Sequence, residues 1–486
     1  MLATLSITER LEARGLAPRW RGAPPAAFVH LALDSRKVGE GDLFCAVRGV
    51  TADGHDHLAA ASAAGATGAV VQAEAPGLEL PQLVVSDSRV AATHLASLAL
   101  GDPADHLSVV GVTGTNGKTT TAWILRHLLA SRGPAGAVGT LGIMDPGGSI
   151  RPGRLTTPGP LEAMEALAEL RDAGCEVVAM EVSSHALDQH RIDGIGFRCA
   201  VFTNLTREHL DYHADMAAYR AAKLRLAELV RPAGALLVLG EEPAWTELRH
   251  RDGAVTYGTD PSADVRAEDM RSVAAGSAWR LVTPEGEAEV RRLPLPGAFN
   301  VVNALAAAAA ARALGLEVGE IAAALESLPQ VPGRMEILGR EPALVVRDYA
   351  HTPDALERAL SALRPLASGR LFLVFGCGGD RDRGKRPLMG CIASEGADVV
   401  VVTSDNPRSE DPAHIAAEVL ADLPPRRAEV ELDREAAIER VLADAGVGDV
   451  VLLAGKGHEA YQEVGDERHP FDEAAVVARW LGEAAP

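Results

Sequence analysis

The stretch Gly111-Val112-Thr113-Gly114-Thr115-Asn116-Gly117-Lys118-Thr119-Thr120 decides the fold class of this chain. It follows an apolar run at residues 107–112, which is typical of a buried strand, and precedes residues 122–129, whose apolar side chains have helical spacing. Glycines between a strand and a helix let backbone N–H groups approach phosphates, and the helix N-terminus adds positive potential. The segment therefore predicts a loop that binds a nucleoside triphosphate.

Two side chains of the loop carry specific expectations. Lys118 can reach the outer phosphates, and the Thr119 hydroxyl can bind Mg²⁺. The loop departs from the common form, because Val112 stands where that form has a glycine. A glycine-rich turn without a ligand is the alternative, but strand, Gly-Lys-Thr-Thr and helix together favour the phosphate loop. The loop alone does not tell what is done with the triphosphate.

Length and charge restrict the class of protein. The 486 residues predict two to four domains. A content of 47% hydrophobic and 23% charged residues is that of a globular protein. The net charge of −20 argues against a nucleic-acid partner and against an anionic membrane surface. A small anionic substrate stays compatible with this charge if arginines and lysines gather locally.

The five cysteines are scattered without paired spacing, which fits a reducing cytoplasm and predicts no zinc site. The first residues lack a basic segment followed by an apolar one, so we expect no secretory signal. No apolar stretch reaches the ~20 residues of a spanning helix, and the best, residues 304–311, is much shorter. We therefore expect a cytoplasmic protein with no membrane span.

Residues 1–103 predict a small α/β domain. Strands are expected within 41–47, 65–71 and 83–85, and Asp34-Ser35-Arg36, taken alone, is a surface turn. Residues 104–332 predict a central α/β domain with a parallel sheet around the phosphate loop. Its apolar runs at 176–180 and 199–202 end at polar clusters that contain Glu181 and His209. Ligands gather at such strand ends, although for each residue alone a role as a helix cap or a hydrogen-bonded core group is the favoured interpretation.

Residues 333–486 predict a Rossmann-like α/β domain after a hinge at Pro329, Pro332 and Gly333. Four apolar runs, at 344–346, 371–375, 399–402 and 450–453, each end in a polar or glycine-rich cluster. Continuous apolar runs between helical segments indicate a parallel sheet covered on both faces. All four clusters would then lie at one edge, which we interpret as a binding edge rather than a solvated rim.

Ordered motifs through nearly the whole chain resemble those of the Mur ligases of peptidoglycan synthesis. They are Asp34-Ser35-Arg36, the loop 114–119, Leu155-Thr156-Thr157-Pro158, the segments 183–191 and 209–213, Gly333-Arg334-Met335-Glu336, Asp348-Tyr349-Ala350-His351-Thr352-Pro353, Asp405-Asn406-Pro407-Arg408 and Gly455-Lys456-Gly457-His458-Glu459. One departure is Gly240-Glu241-Glu242, where the family often has an Asn-Asp pair, and we assign these residues no role.

The resemblance implies an ATP-dependent ligase that adds meso-diaminopimelate to UDP-N-acetylmuramoyl-L-alanyl-D-glutamate through an acyl phosphate, with Mg²⁺, as a monomer. Residues 1–103 would hold the UDP end, 104–332 ATP and the peptide stem, and 333–486 the amino acid. The alternatives are the same ligase using L-lysine, a sister Mur or folylpolyglutamate-type ligase, and a P-loop switch that only hydrolyses ATP. The sequence identifies no base for the incoming amine.

The resemblance also implies the site residues. For ATP these are Gly114, Thr115, Asn116, Gly117, Lys118, Thr119, Thr120, Asn300, Asn303, Arg334, Asp348, Tyr349 and His351. The UDP-muramoyl dipeptide would meet Leu33, Ser35, Thr51, Thr156, Thr157, Ser183, Gln189 and Arg191. The amino acid would meet Arg381, Arg386, Asp405, Asn406, Pro407, Arg408, Gly455 and Glu459, and the metal Thr119, Glu181, His209 and a carbamylated Lys223.

Two of these assignments have plain alternatives. From the residues alone, Lys223 is an ordinary lysine on an amphipathic helix, and only the resemblance implies the carbamate. Arg408 could be a surface turn residue that pairs with Glu410 or Asp411. We favour a binding role, because a planar guanidinium can hold the second carboxylate of diaminopimelate through two hydrogen bonds.

Overall fold

The computed structural model describes residues 1–49, 52–273, 276–424 and 427–482, and it confirms the α/β class. Three units follow one another along the chain, each built around its own sheet. The N-terminal unit contains β1 (Leu2–Ala3), α1 (Thr4–Ala13), β2 (Arg19–Arg21), β3 (Ala27–Phe28), β4 (Leu31–Ala32), β5 (Leu43–Cys45), α2 (Leu58–Ala63), β6 (Gly68–Val71), β7 (Gln82–Val84) and α3 (Ser88–Ala99).

Its five-stranded sheet has the order β2-β7-β6-β5-β4, parallel from β4 to β7 and antiparallel at β2. Helix α3 begins at Ser88 because the Asp87 carboxylate accepts hydrogen bonds from the Arg89 and Val90 N–H groups. The buried side of α3 shares an apolar core with the central unit, so the two units are packed together.

The central unit contains an eleven-stranded sheet and seven helices among the described residues. Its strands are β8 (Ser108–Thr113), β9 (Ala135–Gly139), β10 (Gly142–Met144), β11 (Ile150–Arg151), β12 (Val177–Glu181), β13 (Phe197–Phe202), β14 (Val230–Leu239), β15 (Ala254–Gly258), β16 (Val265–Val273), β17 (Gly276–Thr283) and β18 (Gly286–Leu293). Its helices are α4 (Lys118–Ala130), α5 (Pro160–Asp172), α6 (Ser184–Asp188), α7 (Met216–Leu224), α8 (Thr246–Arg249), α9 (Ala298–Ala313) and α10 (Val318–Glu326).

The sheet order is β11-β10-β9-β12-β8-β13-β14-β15-β16-β17-β18. The strands from β9 to β16 in this order are parallel, as predicted, but both edges are antiparallel, which the sequence did not predict. The edge strands follow their neighbours closely: two residues join β9 to β10, and two join β17 to β18. Such short connections permit only antiparallel pairing.

Side chains of the central strands alternate between two cores. Val110 and Val112 of β8 face the core of α4, α9 and α10, whereas Val109 faces the core shared with α5 and the N-terminal unit. Helix α9 is rich in alanine, and residues 306–311 are buried. It packs directly on α4, the helix that follows the phosphate loop.

The C-terminal unit contains β19 (Glu336–Gly339), β20 (Leu344–Asp348), α11 (Pro353–Leu363), β21 (Leu371–Phe375), α12 (Lys385–Gly396), β22 (Val399–Val402), α13 (Pro412–Leu420), β23 (Glu429–Val430), α14 (Arg434–Asp444), β24 (Val450–Ala454), β25 (Tyr461–Val464), β26 (Glu467–Pro470) and α15 (Glu473–Leu481). Its main sheet has the order β19-β20-β24-β21-β22-β23, and only the edge strand β19 is antiparallel. The four predicted strands are present, and their polar ends lie at one edge.

No helix among the described residues combines the length and the apolar character that crossing a membrane requires.

Candidate active site

The phosphate loop has a backbone that only glycine fits at two positions. Gly114 has a φ of +146°, and a Cβ atom there would lie 1.8 Å from the Thr203 hydroxyl oxygen. Gly117 has a φ of +86°, and its Cβ would meet the Asn303 side chain at 2.3 Å. The loop is also fixed to the end of β13, since the Thr115 N–H donates to the Asn204 carbonyl at 2.8 Å. The loop is therefore held rigidly between a strand and α9.

The Lys118 side chain folds back onto the phosphate loop and hydrogen-bonds to its carbonyl oxygens. Its Nζ donates to the carbonyl oxygens of Gly114 at 2.9 Å and Thr115 at 2.7 Å. Burial lowers its pKa, although the nearby carboxylates of Glu208 and Glu181 oppose that effect. An anion at the loop would offer this ammonium better acceptors than two neutral carbonyls.

Three cavities share Tyr349 and His351 in their linings, and we name them the first, second and third cavity. The second cavity, of about 340 Å³, lies between the phosphate loop and α9. Its lining includes the predicted ATP residues Asn116, Gly117, Thr120, Asn300, Asn303, Arg334, Asp348, Tyr349 and His351. The central and C-terminal units both contribute to it. Arg334 lies over the Tyr349 ring at 4.5 Å, and the Asp348 carboxylate accepts a hydrogen bond from the Met335 N–H at 2.7 Å.

Arg334 also reaches the loop, where its Nη2 donates to the Thr119 hydroxyl at 3.0 Å. Its Nε is buried and has no hydrogen-bond partner among the described residues. A half-buried guanidinium with a buried spare donor beside a phosphate loop suits an anionic ligand. The cation thus fits the nucleotide role that the sequence assigned to it.

Glu241 and Glu242, to which the sequence gave no role, line the second cavity as well. Glu242 accepts hydrogen bonds from the Leu205 N–H at 3.0 Å and the Ala244 N–H at 3.2 Å. Glu241 accepts one from the Thr259 hydroxyl at 2.9 Å. Both carboxylates therefore fix the loops after β14 and β15 that form the far wall of this cavity.

A third cavity of about 400 Å³ lies on the other side of the loop. It is lined by Thr156, Thr157, Ser183 and Arg191 of the predicted muramoyl-peptide set, together with loop residues 115–120. Thr157 ties this wall together, because its hydroxyl donates to the Glu181 carbonyl and accepts from the Ser183 N–H, each at 2.9 Å. Gln189 does not line the cavity, but its Oε1 accepts two hydrogen bonds from Arg191 and so orients that guanidinium.

The predicted metal residues all line the third cavity. The Thr119 hydroxyl donates to Glu181 Oε2 at 3.0 Å, so hydroxyl and carboxylate oxygens lie together, and these are the ligand types Mg²⁺ prefers. Burial lowers the pKa of His209 to about 4, which keeps its imidazole neutral near pH 7. Among the described residues there is no group of three or more His, Cys, Asp or Glu side chains arranged as a metal site. The set fits Mg²⁺ only with oxygens from elsewhere, such as a modified Lys223 or phosphates.

Lys223 is buried on α7, not exposed as on an ordinary amphipathic surface. Its Nζ donates to the Gly114 carbonyl at 2.8 Å and lies 4.4 Å from the Tyr219 ring centroid. Burial, followed by the charge of Lys118, lowers its pKa well below the usual value. Because its pKa is lowered, this buried amine loses its proton more readily than a free lysine and is the better nucleophile.

A first cavity of about 550 Å³ opens at the strand ends of the C-terminal unit. Of the predicted amino-acid residues, Arg381, Asp405, Asn406, Arg408, Gly455 and Glu459 line it. Arg408 has a positive φ of +51°; its Nε lies 3.0 Å from Glu463 Oε2, and its Nη1 donates to the Gly379 carbonyl at 2.8 Å. Its partner is therefore Glu463 and neither Glu410 nor Asp411, the partners of the surface-turn alternative.

Arg386 is placed differently from the prediction. Its side chain is 0% exposed and does not line the first cavity. Its guanidinium donates to Glu410 and Glu418 at 2.6–2.9 Å and to the Gly378 carbonyl at 3.1 Å. Pro407 does not line the cavity either, and its carbonyl accepts from the Glu410 N–H. Arg386 and Pro407 therefore both hold Glu410 in place, and through it they shape the turns that carry Arg381 and Arg408.

Glu208 is a site residue that the sequence analysis missed. It lines the first and third cavities, and its Oε1 lies 3.2 Å from Nε2 of His351 in the C-terminal unit. A second contact between units joins Asn116 Nδ2 to Asp354 Oδ2 at 2.8 Å. The only sequence signal for Glu208 was its position next to His209, and for Asp354 its position three residues after His351. Both lie in or beside motifs to which other roles had been assigned.

The predicted UDP-binding residues of the N-terminal unit lie apart from these cavities. Leu33 and Ser35 are half-buried and line none of the three. Thr51 lies outside the described residues. The Asp34 turn is held by hydrogen bonds from Arg36 to the Asp34 carboxylate, as in a surface turn.

Known protein families and structures give an independent comparison. Family models described as "Mur ligase family, catalytic domain", "Mur ligase middle domain" and "Mur ligase, glutamate ligase domain" match residues 28–104, 112–311 and 333–457. A protein of Gloeobacter violaceus named UDP-N-acetylmuramoyl-L-alanyl-D-glutamate--2,6-diaminopimelate ligase is 45% identical over 459 residues, covering 93% of this chain and 94% of the relative.

Two solved structures have similar folds. One, of a UDP-N-acetylmuramoyl-L-alanyl-D-glutamate--2,6-diaminopimelate ligase, is 34% identical with a TM-score of 0.67 and covers 94% of this chain and 95% of its own. The other is Mycobacterium tuberculosis folylpolyglutamate synthase complexed with ADP and AMPPCP, at 20% identity and a TM-score of 0.65, covering 82% of this chain and 96% of its own. The second likeness concerns the fold alone.

Proposed function

We propose that this chain, which belongs to the Mur ligase family, adds meso-diaminopimelate to UDP-N-acetylmuramoyl-L-alanyl-D-glutamate at the expense of ATP. The relative with that printed name matches over nearly the full length of both chains. One structural observation carries the proposal: Tyr349 and His351 line all three cavities, so the three cavities converge. A ligase with three substrates needs such a meeting point.

We propose the following division of the chain. Residues 1–103 hold the uridine end of the substrate, 104–332 hold ATP and the peptide stem, and 333–486 bring the amino acid. The second cavity would take the nucleoside, the third the phosphates and the stem carboxylate, and the first the amino acid. The N-terminal assignment has the least support, since Leu33 and Ser35 lie outside these cavities.

The reaction needs an activated carboxyl group, because a carboxylate would have to expel oxide. Transfer of the γ-phosphoryl group of ATP to the stem carboxylate gives an acyl phosphate and ADP. The free amine of diaminopimelate then attacks the acyl carbon and loses a proton. The bond between that carbon and the phosphate oxygen breaks, and inorganic phosphate leaves with the electron pair. Lys118 and Arg334 face the place where negative charge moves, and such fixed cations lower the barrier to phosphoryl transfer.

Mg²⁺ would neutralise phosphate charge during that transfer. We propose that Thr119 serves one Mg²⁺ and that Glu181, His209 and a carbamylated Lys223 help hold a second. The neutral Lys223 amine would add to carbon dioxide, forming an N–C bond and releasing one proton, and the product is an anionic carbamate with two oxygens. Burial of the amine supports this step, because it favours the neutral nucleophilic form.

The first cavity has the charges that diaminopimelate requires. Its lining holds the cations Arg381 and Arg408 and the carboxylates Asp405 and Glu459, which match the carboxylate and ammonium at the far end of the amino acid. L-Lysine lacks that carboxylate and would offer Arg381 and Arg408 no acceptor at its far end. Diaminopimelate is therefore the proposed substrate and L-lysine the alternative. We further propose a cytoplasmic monomer.

Product analysis tests this function. The purified protein is incubated with ATP, Mg²⁺, UDP-N-acetylmuramoyl-L-alanyl-D-glutamate and an equimolar pool of amino acids, and the products are identified by mass spectrometry. A single new product with the mass of the diaminopimelate amide is expected. A lysine product would support the alternative, and ATP hydrolysis without any ligated product would support a P-loop switch.

A further inference from the structure

We propose that Lys456 is a positioning residue of the amino-acid site, which sets the net charge of the Asp405–Glu459 pair and the orientation of the Asn406 amide from beneath the first cavity. This inference rests on the proposed function. Lys456 lies directly after β24, in the segment that also carries Gly455 and Glu459. Among the described residues it is one of few lysines whose side chain is fully buried.

The contacts of Lys456 all involve residues that line the first cavity. Its Nζ donates to Asn406 Oδ1 at 3.0 Å and lies 3.7 Å from both Asp405 Oδ1 and Glu459 Oε2. Asp405 and Asn406 follow β22, whereas Glu459 follows β24, so one ammonium ties two strand ends together. Lys456 itself does not line the cavity, so it can act on the amino acid only through these neighbours.

The Asn406 amide shows how orientation is fixed. Its Oδ1 accepts from Lys456 Nζ and from the Glu463 N–H, each at 3.0 Å. Because two donors occupy the oxygen, the amide nitrogen must face the other way, and Nδ2 donates to Glu459 Oε2 at 2.8 Å. Without Lys456 the amide could flip, and the Glu459 carboxylate would lose its fixed position.

Charge balance gives the second effect. Asp405 and Glu459 are two carboxylates in a partly buried place, and Lys456 leaves them a net charge of −1, which suits one ammonium group of a substrate. Burial and the charge of Asp405 raise the pKa of Glu459, whereas Lys456 and the Asn406 hydrogen bond lower it. Loss of the cation would therefore let a proton occupy the pair instead of the substrate ammonium.

Among the described residues, no lysine, arginine or histidine other than Lys456 lies within salt-bridge distance of Asp405 or Glu459, and His351 acts on the pKa of Glu459 from farther away. The other charged groups that act on Lys456 are Arg434 and Glu473, a fully buried pair with a 2.7 Å contact. Arg434 is directed at Glu473 and at the carbonyls of Ala454 and Ser404. The Tyr461 ring, 5.8 Å from Nζ, is uncharged near pH 7. Lys456 is thus the cation in contact with the pair.

The test is the variant Lys456→Met, which keeps the length of the side chain without its charge. We expect the KM for diaminopimelate to rise about 10- to 100-fold, while the KM for ATP stays within about twofold. The acidic limb of the kcat/KM profile should move to higher pH, because the carboxylates now protonate more readily. A purely structural role would lower the amount of folded enzyme without moving that limb.

The double variant Lys456→Met with Asp405→Asn restores the net charge of −1. Because Asp405→Asn alone leaves a net charge of 0, adding Lys456→Met to it should not raise the KM for diaminopimelate as it does in the wild-type background, and this comparison also serves if the single variant does not fold. Arg370→Met is the matched control, since Arg370 contacts Asp444 and Asp449 at the opposite end of the same sheet. It should leave the KM unchanged.

Two results would overturn the inference: an unchanged KM in folded Lys456→Met, or equal losses from Lys456→Met with and without Asp405→Asn. Wild-type protein is measured first in each assay. If wild type forms no diaminopimelate product, the proposed function fails; if it forms product and Lys456→Met matches it, only the role of Lys456 fails.

Discussion

Nε2 of His351 lies 3.2 Å from Oε1 of Glu208, and this contact joins the C-terminal unit to the central unit beside the phosphate loop. Burial alone would raise the pKa of Glu208, but the hydrogen bond with His351 and the charges of His351, His209 and Lys118 lower it well below the usual range. Glu208 is therefore ionised wherever the two units are closed.

The variant Glu208→Gln should weaken closure, because a charged hydrogen bond worth about 1.5–3 kcal/mol becomes a neutral one. We expect kcat/KM for the amino acid to fall by roughly one to two powers of ten. Small-angle scattering with an ATP analogue and the muramoyl substrate should show less compaction than wild type. Glu228→Gln, on an exposed side chain, is the control; equal scattering curves for wild type and Glu208→Gln would contradict the prediction.

Lys118→Ala should abolish ligation and leave the fold intact. The ammonium contacts only loop carbonyls in this structure, so its loss removes charge at the phosphates more than it removes packing. One missing transition-state donor costs about 10²–10³ in rate. Initial rates and thermal melting are measured together, with the exposed Lys37→Ala as control. Near-normal activity of a folded Lys118→Ala would remove the residue from the mechanism.

Lys223→Ala should be inactive and partly rescued by short carboxylates such as formate or acetate. The shorter side chain leaves room beside Gly114, and an added carboxylate supplies the oxygens that a carbamate would have supplied. Rates are measured across a series of carboxylate concentrations, with chloride at matched ionic strength as control. Mass spectrometry of wild type under carbon dioxide gives a second check; full activity of the variant without any addition would refute the carbamate.

Arg408→Ala should change the use of the amino-acid substrate, whereas Arg386→Ala should mainly lower the stability of the protein. Arg408 lines the first cavity, so its loss should lower kcat/KM for diaminopimelate by roughly one to two powers of ten and narrow the preference over lysine. Arg386 is buried between Glu410 and Glu418, so its loss leaves Arg383 as the remaining cation beside these carboxylates and should cost about 1.5–3 kcal/mol of stability. Both amino acids and thermal melting are measured for each variant. If Arg408→Ala keeps the full preference, its assignment fails.

The pH dependence of stability should contain a contribution from His94. Burial is the main cause that lowers its pKa from 6.5 to about 4. Between those values the unfolded chain takes up a proton that the folded protein refuses, so stability falls as pH drops from about 6.5 to 4. The contribution is on the order of 1–3 kcal/mol. Melting temperatures of wild type and His94→Gln should diverge less at pH 5 than at pH 7, because the variant lacks this loss.

Much of the architecture followed from the sequence, because buried parallel strands produce continuous apolar runs. The strands that end before Glu181, Asp405 and Gly455 were predicted in this way, and the parallel order explains why their polar ends meet. The antiparallel edges of the central sheet were not predicted. Strands β16 and β18 alternate polar and apolar residues and carry many charges, so they lack the signal of a buried run.

The site was harder to predict where function depends on contacts between distant residues. Arg386 and Arg408 have the same residue type and both lie near strand ends, yet one is buried between carboxylates and the other lines a cavity. The two arginines are distinguished only by the tertiary contact that places Glu410 against Arg386. Contacts such as Arg334 with Thr119 join residues more than two hundred positions apart, and no local pattern indicates them.

The packing of α9 on α4 has a consequence for the order of events. Helix α4 begins at Lys118, and the first turns of α9 carry Asn300 and Asn303 beside Gly117. A dry layer of alanine side chains fixes the distance between these two helix ends, and that distance does not depend on the C-terminal unit. If that unit swings away, it removes Arg334 and Asp348 but leaves the loop, Asn300 and Asn303, the proposed contacts to phosphate and base, in register. We therefore expect the nucleotide to bind first and wait on the open protein.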